Sequence, residues 1–388
     1  MKYIPLSIPN VCGNEVKYVS ETLADGWISA VGPYVSKFEK AMQEYVHSNG
    51  SVAVASGSAA LHLAYLEAGV GLGDIVLVPA LTFIATVNPI AYLKGEPYFI
   101  DVDDSLCMDP NKLELFLNTK CSYEDGCVYL KENGKRVKAI CVVDIFGNLA
   151  DYDRINEIAG KYNLIVIEDA AEAVGTYQIN ADGTKKFAGT FTDYGCFSFN
   201  GNKIMSTGGG GMVFAKDNEH LEHIRFLSTQ AKSNAWYFYH DEVGFNYRLS
   251  NTAAAIGVAQ LENLENFIKQ KHLLYDTYKA IFDANGIEMM GFRDDIRANK
   301  WFFTILWNED NTLSRDELMT KLKERGIETR PVWGLINEQK PYMNCGHDDL
   351  ERTYYYKNKI VNIPCSTNLT IEEATYVANE IIKLKNGE

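Results

Sequence analysis

The chain has little that would carry it across or onto a membrane, or onto nucleic acid. No apolar run reaches the ~18 residues needed to cross a bilayer, and the opening stretch MKYIPLSIPN has no apolar signal core. Basic residues are short: 37 Lys and Arg stand against 51 Asp and Glu, a formal net charge of −14. That balance disfavours binding to a phosphate backbone or an anionic lipid surface. Eight cysteines are scattered with no C-x-x-C pair and no histidine at zinc spacing, so no metal site is expected and the thiols are read as mostly buried. Internal repeats and low-complexity segments are missing too. Together these absences predict a soluble cytoplasmic protein with no nucleic-acid or membrane partner. What remains is a globular composition, 46% hydrophobic and 23% charged over 388 residues, enough to bury one large core or two unequal ones. An anionic substrate would need local cations to hold it.

From residue 50 to about 217, β-rich apolar runs alternate with helical patterns, which predicts a doubly wound, largely parallel sheet with helices on both faces. The strand candidates are 51–56, 75–80, 97–102, 138–146, 164–169, 194–199 and 211–216. Several are apolar on successive residues, as strands covered on both faces are. Helices are expected over 58–70, 83–94 and 151–162. After about residue 250 the texture changes. A helical stretch over 251–282 is long enough to connect two lobes, followed by a strand at 300–307, a capped helix at 314–326 and a C-terminal helix at 371–385. The expected organisation is a large α/β domain over 1–250 and a smaller C-terminal α+β domain over 251–388.

In parallel α/β sheets ligands gather beyond the carboxyl ends of the strands, and four of these ends carry chemistry. In VAVASGSAALHL a strand runs through Ser56, Gly57 and Ser58 into a helix. Free amides and the positive end of a helix dipole there form either a phosphate cup or a plain N-cap. In VPALTFIAT, Phe83 could stack on a flat heteroaromatic ring. In LIVIEDAAEAVG, Asp169 ends an apolar strand with no basic neighbour. A buried unpaired carboxylate is costly unless a cation meets it, and a protonated pyridine nitrogen would serve. Glu172 could reach the same ring from the side. In CFSFNGNKIMSTGGGG, Ser198 faces away from Phe197 and Phe199, and Lys203 follows within a glycine-flanked turn. A lysine in such a cleft can form a Schiff base. Taken singly each residue has an ordinary structural reading: cap, core aromatic, turn aspartate, surface lysine. As a set they meet the requirements of pyridoxal 5′-phosphate, whose electron sink needs the ring nitrogen kept protonated.

With the landmarks SGSAALHLA, VPALTFIATVNPI, IEDAAEAVGT, FSFNGNKIMSTGGGGMV, VGFNYRLSNTAAAIGVAQLE and GIETRPVW, the chain resembles, over essentially its whole length, the sugar-nucleotide aminotransferases of PLP fold type I, the DegT/StrS family. The resemblance implies an aspartate-aminotransferase-like large domain. It implies Lys203 as the Schiff-base lysine and proton shuttle, Asp169 as partner of the pyridine nitrogen, and phosphate contacts from Gly57, Ser58 and Ser198. Phe83 would stack on the ring and Glu172 would sit beside its hydroxyl. Asn246, in the NYR motif, would reach the cofactor phosphate of a neighbouring subunit, which implies a homodimer with shared sites. Two departures, Asn200 where most members have His or Tyr and Gly209 where they have an acid, bear on the substrate side.

Within that family the chain looks most like the legionaminic-acid-pathway branch. This implies transfer of the amino group of L-glutamate, released as 2-oxoglutarate, to C4 of a UDP-linked 4-keto-6-deoxy-2-acetamido hexose. Arg248 and Arg330 are the candidate cations for the anionic substrates, with Trp301 or Trp333 offering an apolar face to sugar or base. C3 specificity is the alternative regiochemistry. A fold-sharing 3-dehydratase would have His in place of Lys203. A nicotinamide-dependent sugar dehydrogenase would draw on the glycines of GVGLGD (69–74), but that run follows a helix and precedes a strand, the reverse of a dinucleotide-binding turn.

Overall fold

The computed structural model describes residues 3–234, 236–308 and 311–388. All seven expected strands of the first half form one sheet, in the spatial order Val52–Val54, Gly211–Ala215, Tyr194–Ser198, Ile165–Asp169, Arg136–Val143, Ile75–Pro79, Glu96–Ile100. The last five are mutually parallel. Gly211–Ala215 runs antiparallel to both its neighbours, so the sheet is mainly parallel rather than wholly so. A hairpin of Cys121–Glu124 and Cys127–Leu130, absent from the sequence reading, adds to the sheet through Arg136–Val143. Val76, Leu77 and Val78 are all fully buried, as are Ala139 to Val142. That explains the unbroken apolar runs: helices cover both faces, leaving no solvent side to demand polar alternation.

Between strands lie helices Gly57–Glu67 and Tyr152–Tyr162, N-capped by the side chains of Ser56 and Asp151. The single helix expected over 83–94 is instead a 3₁₀ turn, Ile84–Thr86, followed by the short helix Asn88–Tyr92. Pro89 stands in that second helix's first turn, where its missing N–H is tolerated and from which it restricts the residue before it. The break turns Thr86 toward the end of Ile165–Asp169, where its hydroxyl reaches Asp169.

The long helix Asn251–Asp283 is capped by Ser250 and packs against two N-terminal helices, Glu15–Ala24 and Pro33–Val46, and against the C-terminal helix Ile371–Lys385. Beyond it, a small antiparallel sheet runs Glu288–Met289, Phe303–Leu306, Ile360–Ile363, Arg330–Pro331. The strand expected from residue 300 begins only at Phe303, because Lys300 takes φ 53° and Trp301 N–H bonds to the Phe146 carbonyl instead of a sheet partner. The chain also crosses position 250 in space. Ile4 pairs with Ile327, and Ile336 N–H donates to the Ala80 carbonyl at the end of Ile75–Pro79. Among the described residues no helix is long and apolar enough to cross a membrane.

Candidate active site

A cavity of about 310 Å³ opens at the carboxyl ends of the central strands. Its floor is Asp169, only 4% exposed. One carboxylate oxygen accepts from the Thr86 hydroxyl at 2.8 Å and the other from Ala171 N–H at 3.2 Å. Thr86 is itself held by Thr82 at 2.7 Å. Burial pushes the Asp169 carboxyl above its usual range, opposed by the two hydrogen bonds and by the nearby charge of Lys203. Its direct partners are neutral donors, so among the described residues no cation contacts its negative charge.

Glu172 and Lys203 form the second element. Glu172 is buried; one oxygen accepts from Phe146 N–H at 2.8 Å and the other lies 3.3 Å from Lys203 Nζ. Burial raises its pKa, and the lysine charge pulls it back. Lys203 rises from a turn in which its N–H donates to the Asn200 carbonyl, and its Nζ stands 4.0 Å from the centroid of the Trp301 ring. It is the only cationic side chain among the residues lining the cavity.

The third element is a cup. Gly57 and Ser58 open the helix Gly57–Glu67 and line the cavity with Ser198, so unpaired amides and a helix dipole meet there. The Gly57 position has no room for a side chain: a Cβ would fall 2.8 Å from Ser198 Cβ. Ser56 acts as the N-cap, its hydroxyl accepting from Ala59 N–H at 3.1 Å, so the cap and the cup coexist. Over the mouth lies Phe83, 52% exposed, with its ring centroid 6.1 Å from that of Trp333. Asn200 also lines the cavity.

Three expected site residues fall outside the lining of this cavity. Asn246 is exposed and bridges to Thr229. Arg248, expected as a substrate cation, donates to Glu39 at 2.8 Å and to the Ala53 carbonyl at 3.1 Å, with its side chain 12% exposed; its charge is neutralised within the fold. Arg330 is exposed at another cleft and pairs with Glu328 at 2.9 Å. Conversely, the sequence reading missed Thr82, Thr86, Asn202 and Phe302, all of which line the cavity. Thr86 carried a faint signal, lying three residues after Phe83 and three before Pro89.

The donor set fits pyridoxal phosphate: an uncompensated buried carboxylate for a cationic ring nitrogen, a dipole-backed cup for a phosphate, and a lysine within the same cavity. Comparison with known proteins agrees. Residues 10–382 match the model of the DegT/DnrJ/EryC1/StrS aminotransferase family. EpsN of Bacillus subtilis (strain 168), assigned as a pyridoxal phosphate-dependent aminotransferase, is 37% identical, covering 99% of this chain and 96% of its own. GDP-perosamine synthase of Escherichia coli O157:H7 is 34% identical over 98% of both chains. The UDP-4-amino-4,6-dideoxy-N-acetyl-beta-L-altrosamine transaminase of Campylobacter jejuni is 28% identical over 99% of both. A crystal structure of a DegT DnrJ EryC1 StrS aminotransferase from Brucella abortus superposes with a TM-score of 0.87 at 27% identity, covering 96% of this chain and 95% of that one. The chain belongs to the DegT/DnrJ/EryC1/StrS family and is a pyridoxal phosphate-dependent sugar aminotransferase.

Proposed function

We propose that this enzyme moves the amino group of L-glutamate to C4 of a UDP-linked 4-keto-6-deoxy-2-acetamido hexose, making an amino sugar of the legionaminic-acid type for a surface glycan. The observation that carries the amino-transfer part of the reading is the convergence of Asp169, Glu172 and Lys203 on one cavity, with Lys203 Nζ 3.3 Å from Glu172; the sugar and its carrier rest on similarity to relatives. Pyridoxal phosphate, when bound, supplies the electron sink that lets an amino group pass between two carbonyl carbons.

The protein's own groups do the rest. Asp169 holds the proton on the ring nitrogen, and Thr86 and Ala171 aim its two oxygens. Gly57, Ser58 and Ser198 hold the phosphate, and Phe83 covers the ring against water. Lys203 bonds the cofactor and carries the proton at the reacting carbon, steered by Glu172. Asn246 reaches the phosphate in a neighbouring subunit, so the working unit is a homodimer; the exposed aromatics Trp236, Tyr237, Phe238 and Tyr239 give that contact an apolar surface. Of the two expected cations, Arg248 is neutralised by Glu39, and Arg330, which pairs with Glu328 at a separate cleft but is the more exposed, is the one proposed to meet an anionic substrate. Asn200 and Trp333 contact the sugar.

The C4 position and the UDP carrier are supported by the name of the Campylobacter relative. A GDP-linked 4-keto-6-deoxy hexose is the second reading, favoured by the higher identity to GDP-perosamine synthase. Incubation with glutamate and each nucleotide-linked 4-keto sugar, followed by product mass and NMR, separates them. Ping-pong kinetics are expected, since one site serves both halves. An amine found at C3, or turnover confined to sugars without the 2-acetamido group, overturns the primary reading.

A further inference from the structure

Trp301 has the sequence credentials of a ligand-stacking residue, but its surroundings assign it other work. The side chain is 2% exposed, and its polar groups are all engaged. Its N–H donates to the Phe146 carbonyl and to Asn299 Oδ1, each at 2.9 Å. Its carbonyl accepts from Lys271 Nζ at 2.6 Å and faces Cys365 Sγ at 3.5 Å. Its indole Nε1 donates to the Asn202 carbonyl at 2.7 Å. The ring lies against Phe302 with centroids 3.8 Å apart and planes 9° from parallel. Lys271, fully buried in the long helix Asn251–Asp283, ties this same carbonyl and that of Cys365 together. Residue 301 is therefore fixed at backbone and side chain by its own neighbours Asn299 and Phe302 and by partners from four other segments of the chain.

That rigid ring meets the most mobile kind of side chain in the cavity. A lysine end has four methylenes of rotational freedom and loses substantial entropy when held in one place. Among the described residues, Lys203 Nζ is met by Glu172 Oε1 at 3.3 Å and by the Trp301 ring at 4.0 Å from its centroid. The indole face is the strongest aromatic partner for an ammonium, and more so where water is excluded. The Nε1 bond acts on the same lysine through the backbone, because Asn202 immediately precedes Lys203 in the turn.

We propose that Trp301 is a positioning residue for Lys203: its face seats the ammonium against Glu172, the carboxylate that takes the proton Nζ must lose before it adds to an aldehyde with release of water, and its Nε1–H pins the turn from which the lysine rises. This rests on the reading of Lys203 as the residue that bonds the cofactor. A lysine that must leave and recover one position in each half of the reaction benefits from a seat that exists whether or not it is bonded. Glu172 alone would draw the ammonium toward the carboxylate without defining its height above the cavity floor; the ring supplies that second coordinate.

The test uses the full-length enzyme, resolved of cofactor, as wild type, Trp301→Leu, Trp301→Phe and Lys203→Ala. Two quantities are read: the rate at which added pyridoxal phosphate forms its visible-absorbing imine, and the affinity for pyridoxamine phosphate, which has no aldehyde and cannot bond to the lysine. Trp301→Leu is expected to slow imine formation about tenfold or more while leaving pyridoxamine phosphate affinity within about twofold. Trp301→Phe should fall between, since it keeps a ring face and loses the donor. A Leu variant as fast as wild type overturns the proposal. So do equal losses in both quantities, which is what a merely collapsed cavity would give. A Phe variant no faster than Leu overturns the seating role of the ring. An imine that still forms in Lys203→Ala overturns instead the assignment of Lys203 on which the proposal stands.

Discussion

Asp169→Asn is expected to stabilise the cofactor-free protein while disabling the enzyme. In the fold this carboxylate is buried, met by a hydroxyl and an amide and, among the described residues, by no cation in direct contact, and burial raises its pKa. A carboxyl raised on folding binds its proton more tightly in the folded chain than in the unfolded one. The stability tied to that proton is fully present below the unfolded value and is lost as pH rises through the folded value. At neutral pH the ionised group is thus a net cost to the cofactor-free fold, about 1.4 kcal/mol for each factor of ten in proton affinity. Asparagine can occupy the same space with its hydrogen bonds satisfied. Its carbonyl accepts from Ala171 N–H, and its amide donates to Thr86 Oγ, which can turn its own proton to Thr82, 2.7 Å away.

The functional consequence has the opposite sign. Removing the charge that meets a protonated ring nitrogen forfeits a charge-assisted contact worth about 1.5–3 kcal/mol, or about 10- to 150-fold in cofactor affinity. Turnover should fall further, because the ring is no longer held in its electron-accepting form. Urea unfolding of the resolved protein between pH 5 and 8 reads the first effect: the wild type should lose stability relative to the variant as pH rises, and added pyridoxal phosphate should reverse the order. A resolved variant more than about 1 kcal/mol less stable than wild type at pH 7, together with unchanged cofactor affinity, would refute the reasoning and reduce Asp169 to a turn-forming residue.

Mixed dimers of Lys203→Ala and Asn246→Ala should regain one competent site per pair, assayed by turnover after the two parents are unfolded together and refolded; no gain over either parent refutes the shared site. Glu39→Ala should destabilise the protein by about 3–5 kcal/mol in denaturant unfolding, because it strands the largely buried Arg248 as well as Arg225 and Ala53 N–H; a loss under about 1 kcal/mol would return Arg248 to the list of free cations. Glu168→Gln should flatten the pH dependence of stability. Glu168, in the strand Ile165–Asp169, and Asp144, one residue past the end of the neighbouring strand Arg136–Val143, are fully buried, faced by Tyr152 and more distantly by Lys186, Cys107, Cys141 and Cys196, and burial raises both carboxyls. Wild-type stability therefore declines as pH rises through those raised values, and an equally steep decline in the variant would show that the pair does not carry it.

The strands of the large sheet were legible because burial on both faces leaves a local mark, an unbroken apolar run ending in Ser, Asp or Gly. The same holds for the placing of residues at those ends: Asp169, Ser198 and Lys203, which line one cavity, each lie within a few residues of a strand. Thr86 did not, because its position depends on a helix broken at Pro89, which the apolar periodicity of 83–94 conceals. Arg248 and Trp301, one outside the cavity lining and one within it, are held in ways the sequence does not show. Both residue types bind ligands when free, and what removes their freedom lies far along the chain: Glu39 is 209 positions from Arg248, and Asn202 is 99 from Trp301. A residue's partners decide whether it faces a ligand or supports something that does, and partners at such separations leave no trace in a window of sequence. The same criterion, applied to the finished fold, narrows the choice of residues that select the sugar. Trp301 has no polar group left to offer, whereas Asn200 and Phe83 are exposed and Trp333 is half-buried at the cavity. Substrate choice should therefore follow substitutions at Asn200, Phe83 and Trp333, and substitutions at Trp301 should act on the lysine whatever the sugar.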